Sequence, residues 1–287
     1  MVQRSLLYSP GDNRGMLENA VETAADTVIF DLEDAVAPAA KERARRTVRS
    51  MLDDLGDPTP NVAVRINPYD LSGSDDVDAV VGEAATPPES ILLPKVDDAE
   101  PVEALHDRIA DLGETDVGII PLIETAAGVL SAPEIAAAPG VTAIAYGDQD
   151  FTADIGATVT DDKIESLYAR QRTVVAAAAA GVDAFDTVYT DIGDTEGLRE
   201  QTEFVVDLGF DGKLAIHPDQ VPVINEAFTP ATDEIEWAEK VLAGQEQANE
   251  EEIGVFTVDG QMIDPPLVER ARTIVRQAEV AGIRSAR

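Results

Sequence analysis

The chain has 287 residues, 44% of them hydrophobic, and carries 56 acidic against 21 basic side chains, a formal charge of −35 and a pI near 4.1. That length buries a large core in one big α/β domain or in two small ones, and so negative a mean field excludes nucleic acid and anionic membrane as partners. With no cysteine, disulfides, thiolate catalysis and Cys-ligated zinc or iron–sulfur centres are excluded.

Short β-rich runs and helical patterns alternate along the chain. The strands are expected at Ser5–Tyr8, Thr27–Leu32, Asn61–Ile66, Ser90–Pro94, Val117–Ile123, Val141–Tyr146, Val182–Phe185 and Lys213–Ile216. Helices are expected at Arg14–Thr23, Ala39–Leu55, Ser74–Ala84, Pro101–Leu112, Ala132–Ala137, Asp161–Ala180 and Glu196–Leu208. Eight strands separated by helices predict parallel pairing, and closure removes the exposed edges, so the fold class is α/β, a TIM (β/α)8 barrel. No GxGxxG follows the first strand and no GxxxxGK[ST] occurs, which argues against an open nucleotide-binding sheet. The barrel is expected over residues 1–228. A helical extension over 229–287 follows, with a helix at Asp233–Ala243, a polar linker at Gly244–Glu252 and a last helix at Leu267–Ala281. Pro265 and Pro266 suit the start of that helix, where a missing N–H costs little.

The acids are scattered through amphipathic segments and do not form a tail. They read as a hydrated, salt-tolerant surface, so a halophilic origin is expected, with activity that needs molar salt; an ordinary acidic mesophilic enzyme is the alternative. The start, MVQRSLLYSPGD, has too short an apolar part for a signal peptide, and no apolar run approaches about 18 residues. A soluble, cytoplasmic protein is expected.

Barrel enzymes build their sites from residues just after each strand. Those positions read Ser9-Pro10-Gly11, Asp31-Glu33-Asp34, Arg65-Asn67, Lys95, Glu124, Asp148-Asp150, Asp186 and His217. Glu124 and Asp150 each follow an almost wholly apolar strand, and two such carboxylates at one end suit a hard divalent cation. Mg²⁺ takes one or two carboxylates plus water and substrate oxygens, with Mn²⁺ as a possible substitute; Asp31, Glu33 and Asp34 suit metal-bound waters. Arg65 has the planar fork that matches a carboxylate or a polarised carbonyl. The Gly147-Asp148 turn is a candidate source of N–H groups for a developing oxyanion. This is the equipment of a metal-dependent aldol or Claisen lyase. Lys95 leaves a Schiff-base aldolase open, although taken alone it, like His217 before Pro218, is more simply a hydrogen-bonding structural group.

The segments RSLLYSPGD, VIFDLEDAVAP followed by KERAR, VRINP, ILLPKV, PLIETAAG, YGDQDFTADIG, KLAIHPDQ and DGQMIDPP, in order from residue 4 to residue 266, resemble the HpcH/HpaI aldolase and citrate lyase β-subunit-like family. Within it, the chain looks most like the stand-alone members that act on malyl-CoA, β-methylmalyl-CoA or citramalyl-CoA, and the thioesterases derived from them. The resemblance implies a homotrimer or dimer of trimers, Mg²⁺ on Glu124 and Asp150, and Arg65 on the oxo-acid unit. It also implies that Asp264 is a catalytic base entering a neighbouring subunit's site. Arg4, Lys41, Asn67, Lys95, Gly147, Asp148, His217 and Pro218 are expected to bind substrate or coenzyme A, with Arg14 and Arg45 as weaker candidates for its phosphates. The expected reaction is cleavage of a 3-hydroxyacyl-CoA; thioester hydrolysis and a citrate lyase β-subunit role are the alternatives.

Overall fold

The computed structural model describes residues 3–56, 60–114, 116–160, 162–250 and 254–283. They form two compact units, one through Ile224 and one from Asn225 onward. In the first, eight parallel strands close into a barrel in sequence order, with β8 pairing back to β1. The strands are β1 (Ser5–Pro10), β2 (Thr27–Asp31), β3 (Asn61–Arg65), β4 (Ser90–Leu93), β5 (Gly118–Ile123), β6 (Ala143–Tyr146), β7 (Asp183–Asp186) and β8 (Gly212–Ala215). Each overlaps the run expected for it. β2, β4, β5, β6 and β8 are buried along their whole length, as strands covered on both faces must be.

Inward-pointing side chains fill the barrel: Leu6, Ile29, Ala63, Leu92, Ile120, Leu122, Ala143, Ala145, Phe185 and Leu214, with Tyr8 and Val188 packed on them. Around it run α1 (Arg14–Val21), α2 (Lys41–Leu55), α3 (Ser74–Val77), α4 (Glu100–Asp111), α5 (Ala126–Ala136), α6 (Asp148–Asp154), α7 (Leu167–Ala180), α8 (Thr195–Leu208) and α9 (Gln220–Ala227). The helix expected at Ser74–Ala84 is α3 flanked by wider π-type turns at Tyr69–Gly73 and Asp78–Gly82. That expected from Asp161 begins at Leu167, after a 3₁₀ turn at Ile164–Ser166; Asp161 itself lies outside the described residues. α6 and α9 were not anticipated. In α6 the acids Asp148 and Asp150 occupy the first turn, where the helix dipole favours negative charge.

Gly11 shows how tightly the strand ends are joined. Its N–H donates to the Asp31 carbonyl at 2.8 Å, and a Cβ there would stand 2.7 Å from that same oxygen. Only glycine permits the approach.

The second unit contains α10 (Thr232–Glu250), a hairpin of β9 (Phe256–Val258) and β10 (Gln261–Ile263), and α11 (Pro265–Val280). The linker expected at Gly244–Glu252 is corrected: residues 244–250 continue α10, because Gln, Glu and Ala favour helix. A Cβ on Gly244 would strike the Phe256 ring at 2.8 Å. The Asp259-Gly260 turn has positive φ at both residues, the geometry that Asp-Gly favours in two-residue hairpins. Ile235, Ala238, Val241, Ile263, Val268, Ala271 and Ile274 make this unit's core. Among the described residues, no helix is long and apolar enough to cross a membrane.

Asp186, read from sequence as a strand-end candidate for chemistry, is instead part of the barrel's support. It is fully buried, accepts from Lys213 Nζ at 2.6 Å and from Arg170 Nε at 2.8 Å, and so ties β7, β8 and α7 together. Burial alone would raise its carboxyl, but the ammonium and guanidinium outweigh that and hold it below the usual range. Lys213 Nζ also donates to the Thr187 carbonyl. Asp186→Leu leaves two buried cations without their anion and is expected to cost roughly 3–5 kcal/mol in equilibrium urea unfolding; a loss below about 1 kcal/mol would show that the network is not a support.

Candidate active site

Asp31 and Arg65 end β2 and β3 as direct register partners. Their side chains therefore meet: Arg65 Nε and Nη2 donate to the two Asp31 oxygens at 2.7 and 2.6 Å, a bidentate fork. Arg65 Nη1 reaches Glu33 Oε2 at 3.0 Å, and the guanidinium lies 4.7 Å over the Tyr8 ring. Asp31 also accepts from the Glu33 and Ala35 N–H groups, which folds the loop after β2 over the barrel end. Glu33 is thereby buried. Burial, offset by Arg65 and reinforced by Asp34, pushes its carboxyl up to about 7.

Glu124, at the end of β5, is buried, and its Oε1 accepts from the Lys95 N–H at 2.8 Å. The next strand leaves room for it only through glycine, since a Cβ on Gly147 would stand 2.6 Å from Glu124 Oε2. Burial raises its carboxyl to about 8, against the Lys95 hydrogen bond and helped by repulsion from Glu33 and Asp150. Asp150, half-exposed on α6, has Lys95 Nζ 4.0 Å away.

Three carboxylates, Glu33, Glu124 and Asp150, thus share one end of the barrel, the first and last repelling Glu124. Glu33 Oε1 is buried with no hydrogen-bond partner among the described residues, although Lys95 Nζ is 3.8 Å from it. No cluster of three or more His, Cys, Asp or Glu stands ready to chelate a metal among those residues. A set of two carboxylates short of positive charge, with a spare acceptor beside it, fits a hard cation that keeps several waters.

Two cavities meet here. The inner one, of about 100 Å³, is lined by Leu122, Glu124, Gly147, Asp150, Val188 and Leu214 among others. The outer one, of about 630 Å³, is bordered by Met16, Asn19, Ile216, His217 and Pro218. Tyr8, Asp34, Arg65, Gln149 and Val188 line both. Tyr8 is a residue that the strand-end reading missed, because it sits inside β1; its inward phase, two residues after Leu6, was the available signal. Burial raises its phenol.

Several expected binding residues serve the scaffold instead. Arg4 precedes β1 and so lies at the opposite end of the barrel, paired with Asp26 at 2.8 Å. Lys41 Nζ donates to the Leu32 and Glu33 carbonyls at 2.7 and 2.6 Å, and Asn67 Nδ2 to Leu32 and Asp76. Both hold the loop that carries Glu33. Arg45 is engaged with Asp76, and Arg14, on the surface, with Glu18 and Asp54. The Gly147 and Asp148 N–H groups are not aimed at an oxyanion, since they donate to the Ile123 carbonyl and Thr187 Oγ1. The Asp148 carboxylate takes the Tyr146 hydroxyl and lies 3.5 Å from Lys163 Nζ. His217 and Pro218 stand at the outer cavity, where His217 Nδ1 accepts from the Asp219 N–H. In the second unit, Asp264 caps α11 through its acceptance from Leu267 N.

Residues 4–218 match the family model described as HpcH/HpaI aldolase/citrate lyase. The citrate lyase β subunit of Leuconostoc mesenteroides subsp. cremoris is 37% identical, over 96% of this chain and 93% of that protein. The mitochondrial citramalyl-CoA lyase of Mus musculus is 36% identical over 96% and 86%, and the (3S)-malyl-CoA thioesterase of Cereibacter sphaeroides 38% over 96% and 94%. The crystal structure of CitE from Mycobacterium tuberculosis, in complex with magnesium, acetoacetate and coenzyme A, superposes with a TM-score of 0.79 at 34% identity, over 97% of this chain and 98% of that one. The chain belongs to the HpcH/HpaI aldolase/citrate lyase family.

Proposed function

We propose that the protein is a Mg²⁺-dependent carbon–carbon lyase that reversibly cleaves a 3-hydroxyacyl-CoA, such as L-malyl-CoA or β-methylmalyl-CoA, to glyoxylate and acetyl-CoA or propionyl-CoA. The observation that carries this reading is the cation-poor pair Glu124 and Asp150 at the wall of a small chamber that Arg65 also lines, with Glu33 close enough to repel Glu124. Relatives named as a citramalyl-CoA lyase and a citrate lyase β subunit support it, as does a neighbour that holds magnesium and coenzyme A. Glu124 and Asp150 would hold the metal; when bound, Mg²⁺ supplies Lewis acidity toward the carboxylate and adjacent oxygen of the 2-hydroxy or 2-oxo acid unit.

The chain's own groups then do the following. Arg65, fixed by Asp31, orients the oxo-acid oxygen and favours negative charge on it. The inner cavity limits this unit to a small acid, and the outer cavity accommodates the thioester arm. Asp264, entering from a neighbouring subunit of a homotrimer or dimer of trimers, takes the proton from the thioester's α-carbon in condensation and returns it in cleavage. The neighbour's tail also excludes water. Where water enters, the thioester itself is hydrolysed. That second reading is favoured by the 38% identity to a malyl-CoA thioesterase.

With Mg²⁺, molar KCl and malyl-, methylmalyl- and citramalyl-CoA, the expected products are an oxo acid and a shorter acyl-CoA, with activity lost in dilute buffer. Release of free thiol and a hydroxy acid would instead establish the thioesterase. Asp264→Asn is expected to lower C–C cleavage about 10²–10⁴-fold while Mg²⁺ binding, read by calorimetry, is unchanged; full turnover in that variant would remove the tail from the mechanism. The metal-free protein gives a third measurement. Because the Glu124 carboxyl is raised to about 8, its contribution to stability is greatest below its unfolded-state value and is lost as pH rises through about 8. Glu124→Gln is therefore expected to raise Tm at pH 8 without Mg²⁺ and to abolish the further rise that Mg²⁺ gives the native chain. A Tm below that of the metal-free native chain at that pH would contradict the assignment.

A further inference from the structure

Lys95 approaches all three of the crowded carboxylates, Glu124 through its N–H and Glu33 and Asp150 through its side chain. Its backbone has φ 55°, left-handed, a conformation that strains a side-chain-bearing residue and that clusters at functional sites. This turn points its N–H at Glu124 Oε1, at 2.8 Å, and throws its side chain the other way, over the site. There Nζ lies 3.8 Å from Glu33 Oε1 and 4.0 Å from Asp150 Oδ2. Both separations exceed a hydrogen bond, so the ammonium stands between two anions without being fixed to either. Arg65, the other cation at these carboxylates, is committed to Asp31 and to the second oxygen of Glu33. The side chain of Lys95 is 47% exposed and free to withdraw into solvent.

We propose that Lys95 is a tethered counter-ion: its ammonium holds the cation position between Glu33 and Asp150 while no metal is bound, and gives it up when a divalent ion arrives. This rests on the metal reading of Glu124 and Asp150. Lys95 is thus a positioning residue through its N–H and a competitor through its Nζ, a role distinct from contacting substrate. The competition has a definite sign. A residue that only contacts substrate leaves the affinity for Mg²⁺ in the absence of substrate unchanged, whereas removing a competing charge about 4 Å from a ligand carboxylate tightens it.

The test is titration of MgCl₂ into the full chain by calorimetry, without substrate, for the native protein, Lys95→Met, Lys95→Gly and Lys95→Arg. The Met and Gly variants keep the N–H to Glu124, and Gly also relieves the left-handed strain, so the test does not depend on how well the Met variant folds. Both are expected to bind Mg²⁺ about three- to tenfold more tightly than the native chain, and the Arg variant close to native. The advantage should shrink as KCl is raised, since added salt screens the same charge. Equal or weaker binding in the Met and Gly variants, with the native protein still binding, overturns the role of Lys95 and leaves the metal site standing. Failure of every protein, native included, to bind Mg²⁺ overturns the metal site itself and the proposal with it.

Discussion

The barrel end carries more negative charge than its own cations can balance. Closing eight parallel strands brings Asp31, Glu33, Glu124 and Asp150 to one rim, and Arg65 is the strong answer to them. Its fork neutralises Asp31 through the register of β2 and β3, and its third nitrogen reaches only one oxygen of Glu33. What remains is a surplus, visible in the carboxyls of Glu33 and Glu124, which burial and repulsion from neighbouring acids push up to about 7 and about 8. Folding maintains that unfavourable arrangement because the surrounding strands and the Gly147 approach over-determine it. The proposed cation would relieve that surplus.

Asp186 makes the contrast. It also ends a strand and is even more deeply buried, yet Lys213 and Arg170 balance it and its carboxyl lies below the usual range. Glu124 and Asp186 thus differ in the sign of their shift, because two cations are bonded to Asp186 and none to Glu124 among the described residues. Lys213 extends the support through the Thr187 carbonyl, while Thr187 Oγ1 receives the Asp148 N–H. The turn that carries Asp150 therefore rests on the buried network beneath it.

The eight strands were legible because parallel strands covered on both faces read as unbroken apolar runs, and the acids that follow such runs stand out even in a chain of 56 acids. Glu124 and Asp150 stand out this way, and Arg65 as a base at a strand end in a chain with 21 basic residues; the structure brings all three to one end of the barrel. The partners were not legible, because pairing is set by distances between segments far apart in sequence: nothing near Lys41 or Asn67 announces that both hold the carbonyl of Leu32. Arg4 is a different kind of error. It precedes its strand, so its placement at the far end of the barrel follows from direction alone. The continuation of α10 through Gly244 was hidden because a glycine in a polar stretch reads as a break, and only the Phe256 ring packed against it explains why it is there.

The two cavities give the charge surplus a direction. The inner space, about 100 Å³, has Glu124, Asp150 and Gly147 on its walls, with Leu122, Val188 and Leu214 as apolar neighbours. A group that enters it must be small and able to accept a metal or the Arg65 fork. The outer space, about 630 Å³, lies at the ends of β1 and β8. Tyr8 and Arg65 belong to both, stacked on one another at 4.7 Å. A bond held between the two spaces would lie beside that stack. The thioester proposed as substrate, with its compact anionic head and extended arm, would use both spaces, whereas a free small acid would leave the outer one unused.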